Sequence, residues 1–249
     1  MSAEAPGRTP VLSLRGVSRS FGAARALLGI DLDLYSHEVV AVVGDTGAGK
    51  STLVGVMSGA MQPDSGTVLV DDEPVTLADP GAARSLGIAA VFQDLALCAN
   101  LDVVQNLFLG QEAVRGGLLD EVAMEKQAWS LLGQLAARVP SLHAPVAALS
   151  GAQRRSVAIA RALLGEPRAI LLDEPTASLG LTQIAEFLTL VERLRERGHA
   201  VLITSHSLSD LQAVADRIVV LRLGATNGEF DADQVTYEDL LAAATGMAR

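Results

Sequence analysis

Apolar residues in this chain follow two spacings. Val11–Val17 and Gly29–Leu34 alternate apolar and polar positions, which predicts half-buried antiparallel strands near the N-terminus. Glu38–Val43 is a nearly unbroken Val/Ala run, as expected of a strand covered on both faces. Ile88–Phe92, Ala169–Leu172, Ala200–Thr204 and Arg217–Leu221 read as further strands, with a shorter one at Gly66–Val70. Helical spacing occupies Ser51–Ser58, Gln153–Leu164, Leu181–Arg197 and Leu208–Ala215. Asp79-Pro80 supplies a cap and a first-turn proline for one more helix. From Asp102 to about Arg138 the pattern is helical, with Leu107, Leu118, Met124, Trp129, Leu132 and Leu135 among its apolar positions. That spacing assigns Trp129 to the core. Beyond Gly224 the chain turns acidic (Glu229, Asp231, Asp233, Glu238, Asp239) and ends in an Ala-rich helix.

Strands that alternate with helices predict an α/β fold with a mostly parallel sheet. The N-terminal alternation adds an antiparallel β-subdomain, and the helical block between two α/β stretches predicts an inserted α-helical subdomain. Mean hydropathy is +0.34, yet the longest apolar runs are strand-sized and broken by charge. A spanning helix needs ~20 consecutive apolar residues, and the N-terminal Met1–Pro10 is too polar for a secretory signal. The single cysteine, Cys98, cannot close an internal disulfide, which fits a reducing compartment. The expectation is a soluble intracellular protein.

Charge narrows the partners. Nineteen basic residues against twenty-nine acidic ones leave a net −10, which disfavours phosphate-backbone binding and hence a nucleic-acid partner. Aromatic residues make up only 3% of the chain, too few for a base-stacking platform. Lysine is scarce, at Lys50 and Lys126 alone, so a retained lysine merits attention.

Lys50 ends a glycine-rich turn. Gly44-Asp45-Thr46-Gly47-Ala48-Gly49-Lys50-Ser51 fits G-x-x-x-x-G-K-[ST], after an apolar strand and before a helix. The glycines let backbone N–H groups point inward around a β-phosphate, and the helix N-terminus adds its positive end. Lys50 would bridge the β- and γ-phosphates and the Ser51 hydroxyl would ligate Mg²⁺, so the expected ligand is a nucleoside triphosphate. Strand Ala169–Leu172 then ends in Asp173-Glu174, at the carboxyl edge where parallel sheets bind ligands. Asp173 would hold Mg²⁺ through water, and Glu174 would polarise an attacking water.

Here the chain resembles the ABC-type ATPases. Leu149-Ser150-Gly151-Ala152-Gln153 resembles their signature sequence, and Gln93 in Val91-Phe92-Gln93-Asp94 their Q-loop. Asp173-Glu174-Pro175-Thr176-Ala177-Ser178-Leu179 is similar to the Walker B and D-loop run, and His206 to the switch histidine. Phe21 stands where the family places an aromatic under the adenine. The resemblance covers roughly 12–223. It implies a P-loop NTPase with a RecA-like core at about 11–93 and 165–223, a helical subdomain at about 94–164, and a tail at 224–249. It implies ATP and Mg²⁺ as cofactors, with Gln93 offering its amide to Mg²⁺, His206 reaching the γ-phosphate or water, and Thr52 among the residues that bind the nucleotide. Ser150, Gly151 and Gln153 would face the ATP held by an opposite subunit, so two chains would sandwich two nucleotides. His37, His143 and His199 have no such context and read as surface or loop residues.

Val103-Val104-Gln105-Asn106-Leu107-Phe108-Leu109-Gly110 and Leu179-Gly180 are similar to the ATPases of bacterial sugar importers of the ribose/xylose type. That implies a homodimer or paired ATPase subunit on the cytoplasmic face of the membrane, bound to integral-membrane permease subunits and serving an extracytoplasmic solute-binding protein indirectly. Asp94–Leu101 would receive the permease, or else form subdomain core. Two residues depart from the pattern: Ala152 replaces the second glycine of the signature, and Gly180 replaces the D-loop acid. Two other functions are open on sequence alone: a nucleotide-gated dimerising protein with little turnover, and a non-transport ABC ATPase.

Overall fold

A computed structural model of the chain describes residues 8–177, 179–207 and 211–246. The chain opens with the antiparallel pair β1 (Leu12–Phe21) and β2 (Ala24–Leu34), then runs through β3 (Glu38–Val43) into helix α1 (Lys50–Met57). β4 (Ser65–Val70) and β5 (Glu73–Val75) complete a four-stranded antiparallel sheet of order β2-β1-β4-β5. After α2 (Pro80–Ser85) and β6 (Ile88–Val91) come α3 (Val103–Phe108), a hairpin of β7 (Val114–Arg115) and β8 (Leu118–Leu119), α4 (Glu121–Gln134) and α5 (Gly151–Leu163). The chain then passes through β9 (Ala169–Leu172), α6 (Leu181–Glu196), β10 (Ala200–Ser205), β11 (Arg217–Arg222), β12 (Ala225–Asp231) and α7 (Tyr237–Thr245). The second sheet has the order β12-β11-β3-β10-β9-β6, parallel throughout except for β12.

The central strands read as unbroken apolar runs because each feeds two cores. In β3, Val39, Ala41 and Val43 enter one core while Val40 and Val42 enter the other. β9 divides the same way, with Ile170 and Leu172 on one face and Ala169 and Leu171 on the other. The first core is capped by α3 to α6. The second lies between the parallel sheet, α1 and the antiparallel sheet. Parallel strands buried on both faces have no polar positions to spare, and here all four β9 residues are fully buried.

The helical stretch is where expectation and structure part. The expected continuous pattern from Asp102 to Arg138 is two helices interrupted by the β7–β8 hairpin. Gly116 and Gly117 cause the interruption: both take positive φ, at 62° and 84°, and form the two-residue turn that such hairpins favour. Leu118 therefore sits in an exposed strand rather than on a helix. Trp129 is not core; it is 57% exposed. The buried stripe of α4 is Met124, Ala128, Leu131 and Leu132, and Trp129, one residue after Ala128, turns about 100° away from it. The acidic stretch after Gly224 is not only a tail, since β12 pairs along β11 and α7 packs against the same edge. The expected helix from Leu208 lies partly outside the described residues, as does Ser178 of the acidic-strand run. No helix among the described residues is long and apolar enough to cross a membrane.

Candidate functional site

The carboxyl ends of β3, β9 and β10 bring the expected phosphate-loop and carboxylate residues to one edge of the sheet. β3 ends at Val43, and the loop 44–49 wraps back before α1 starts at Lys50. Two glycines in it have no alternative. A Cβ on Gly44 would stand 2.2 Å from the carbonyl oxygen of Leu221, and one on Gly49 would stand 2.3 Å from that of Ala26. Gly49 also takes φ 109° as the cap of α1. The loop can thus bend tightly enough to turn its N–H groups toward a ligand.

Lys50 is buried. Its Nζ donates to the carbonyls of Gly44 (2.7 Å) and Asp45 (3.1 Å) and lies 3.2 Å from Oε1 of Glu174. The other carboxylate oxygen of Glu174 is 2.8 Å from Nδ1 of His206. Glu174 has φ 46°, a left-handed conformation that is uncommon outside glycine and clusters at functional sites. Sequence reasoning missed the residue that holds it there. Thr204 Oγ1 accepts the backbone N–H of Glu174 (2.9 Å) and donates to Oδ1 of Asp173 (2.7 Å). A threonine near the end of an otherwise apolar strand was the one available signal.

A cleft of about 430 Å³ joins Lys50, Ser51 and Thr52 with Gln93, Glu174 and His206, and Phe21 stands at its wall. Thr46, Gly47 and Gly49 line it as well, and Ala26 and Ala177 do so without having been expected. Phe21 is 47% exposed, with the Arg19 guanidinium 5.2 Å from its ring centre, so it is a surface aromatic and not a core one. Asp173 sits behind the cleft, 4% exposed and bonded to Thr204, where it would act on a cation through water. Ser51, Gln93 and Asp173 are hard oxygen donors of the kind Mg²⁺ takes in ones and twos beside substrate phosphates. Among the described residues no group of three His, Cys, Asp or Glu could hold a metal without such help.

The signature-like residues face elsewhere. Ser150 caps α5 and, with Gln153, closes a reciprocal box: Ser150 Oγ accepts from the Gln153 N–H, and Gln153 Oε1 accepts from the Ser150 N–H. Both residues line a different cleft, between α5 and α6. One chain therefore does not bring them to Lys50. Further along α5, Arg161 donates to the carbonyls of Leu95 and Ala96, tying the helix to the segment after Gln93. Burial lowers the pKa of His199 and its Nδ1 contacts the Pro167 carbonyl, which leaves it a structural role.

Known proteins resemble this chain in sequence and fold along most of its length. The profile of the ABC transporter family matches residues 27–177. The xylose/arabinose import ATP-binding protein of Sulfolobus acidocaldarius is 38% identical, over 96% of this chain and 95% of that protein. The fructose import ATP-binding protein of Rhizobium meliloti is also 38% identical, over 95% and 94%. A solved ATP-binding cassette of an ABC transporter in its ADP conformation superposes with a TM-score of 0.81 at 25% identity, over 96% of each chain. A dimeric bacterial ABC transporter cassette gives 0.77 at 26% identity, over 89% of this chain and 98% of that one. The chain belongs to the ABC transporter family.

Proposed function

We propose that this chain is the ATP-hydrolysing, nucleotide-binding subunit of a membrane importer, and that the cargo is a sugar. The observation that carries the reading is the convergence of Lys50, Glu174, His206 and Gln93 on one cleft beside an exposed Phe21, in a chain similar along nearly its whole length to sugar-import ATP-binding proteins. Phe21 would stack on the adenine and residues 44–52 would hold the phosphates. Lys50 would leave Glu174 for the β- and γ-phosphates, which carry more charge. Glu174, freed at one oxygen and held at the other by His206, would take the proton of the attacking water. Mg²⁺, held by Ser51 and Gln93 with Asp173 behind a water, would neutralise charge on the transferred phosphate when bound.

Residues 94–164 would form a helical subdomain, with Ser150, Gly151 and Gln153 presented to the ATP of a paired chain. The segment 94–101 would dock on permease subunits at the cytoplasmic face of the membrane, with a solute-binding protein acting from the far side. The purified chain should hydrolyse ATP in the presence of Mg²⁺. Lys50→Ala should lower the steady-state rate by ~10²–10³, the usual loss on removing one electrostatic partner of a developing charge. An unchanged rate in that variant would sink the active-site assignment.

A further inference from the structure

Arg155 is a buried cation with no hydrogen-bond or ion-pair partner among the described residues. It is 9% exposed, and its Nη1 is buried with no hydrogen-bond partner among the described residues. Burial pulls the pKa of its guanidinium down. The other inward-facing arginines differ. Arg217 is held by Glu38 and Glu229, and Arg161 spends its donors on two carbonyls. An unpaired buried charge is strongly unfavourable and calls for a partner that arrives from outside.

Arg155 lines the cleft between α5 and α6, a space of about 550 Å³ that shares no lining residue with the cleft around Lys50. Ser150, at the N-terminus of α5, opens onto the same space, so the positive end of a thirteen-residue helix adds to the arginine. Glu186, the cleft's one acidic residue, is exposed and does not perturb Arg155. Arg138 and the Gln183 amide add donors to the lining, and two hydroxyls add acceptors. Ser156 and Thr189 already donate their hydroxyls to backbone carbonyls of Ala152 and Ala185, so they can offer a ligand only lone pairs. That suits a partner rich in hydroxyl donors.

We propose that the α5–α6 cleft is a second ligand site, taking a small hydroxylated organic anion whose phosphate or carboxylate pairs with the Arg155 fork. Two oxygens of either group match the two-pronged donor geometry of a guanidinium, and ligand hydroxyls reach the oxygens of Ser156 and Thr189. The site shares no lining residue with the cleft around Lys50, while Ser150 and Gln153 at its rim are the residues proposed to meet the ATP of a paired chain.

The test uses the full chain carrying Lys50→Ala, which disables the phosphate loop, in thermal unfolding at matched ionic strength. Ribose 5-phosphate and gluconate are the two anionic probes, with ribose and sodium chloride as controls. At about ten times its dissociation constant, an anion that binds here should raise the midpoint by about 3–6 °C. A response to the phosphate, the carboxylate or both supports the site and identifies which head group it takes. Arg155→Met should abolish the response while raising the midpoint of the ligand-free protein, because the stranded charge is gone. Arg155→Lys keeps the charge and loses the fork, and calorimetry should show at least tenfold weaker binding. No response to either anion, an equal response to ribose, a response that survives Arg155→Met, or unchanged affinity in Arg155→Lys would overturn the proposal.

Discussion

Thr204 carries two hydrogen bonds that the cleft's carboxylates depend on. Its hydroxyl accepts the N–H of Glu174, fixing that residue's left-handed backbone, and gives its proton to buried Asp173. Thr204→Val keeps the shape and removes both bonds. A buried acceptor left without its donor costs about 1–3 kcal/mol, so urea unfolding should show a loss of that size. ATP turnover should fall with it, since Glu174 is then less firmly aimed at the cleft. Full stability in Thr204→Val would mean that water replaces the hydroxyl. Such a residue gives pattern reading only a weak signal, because a threonine in a strand is ordinary by propensity. Its role appears only when β10 and β9 are set side by side. The phosphate loop was readable for the opposite reason: its glycine spacing records backbone geometry directly. Gly44 and Gly49, whose Cβ atoms would meet carbonyls at 2.2 and 2.3 Å, mark where that geometry is tightest.

Two helix starts test the departures from the family's pattern. Gly180 begins α6 in extended backbone, φ −78° and ψ 163°, and a Cβ there would meet nothing within 4 Å. Aspartate fits that conformation as a cap and should stabilise by a few tenths of a kcal/mol over glycine. Gly180→Asp should therefore fold normally and raise the unfolding midpoint by about 1 °C; a lowered midpoint would contradict the open space seen around Gly180. Ala152 lies in the first turn of α5. Ala152→Gly should cost up to ~1 kcal/mol of helix stability and raise turnover by no more than a few-fold, read by steady-state ATPase and urea unfolding together. A large gain would mean that the alanine methyl holds the protein nearly inactive. Helices and strands were readable to the degree that burial in a core dictated their pattern. β3, β9, β10 and β11, buried on both faces, stand within a residue of where their apolar runs predict. β5, β12 and the β7–β8 hairpin were not readable, because they are short or exposed and their residues answer to turns and neighbours rather than to a core. Trp129 misled for the same reason: its spacing is compatible with the α4 stripe, and only the packed helix shows which side of the stripe it occupies.

At the scale of the whole molecule, the two halves of the expected nucleotide site open into different clefts. Lys50 and Glu174 share one, while Ser150 and Gln153 border the other, and the capping box that fixes Ser150 is internal to α5. On the function proposed above, a second chain would bring its α5 N-terminus to the first chain's Lys50 cleft. Glu174→Gln tests this. Glutamine keeps the size of the side chain and an acceptor for His206 while removing the base, so ATP should bind and persist, with hydrolysis reduced by ~10²–10⁴. In sedimentation with ATP and Mg²⁺ this variant should run as a dimer, and without nucleotide as a monomer. Each chain carries a net −10, and ATP adds further negative charge. Mutual repulsion therefore opposes assembly, and moderate salt, by screening it, should strengthen the ATP-bound dimer rather than weaken it. Lys50→Ala in the same background removes the cation that holds the phosphates and should return the protein to monomer. A Glu174→Gln protein that stays monomeric with ATP at every salt concentration would count against the two-chain site, and one that dimerises without nucleotide would place the interface elsewhere.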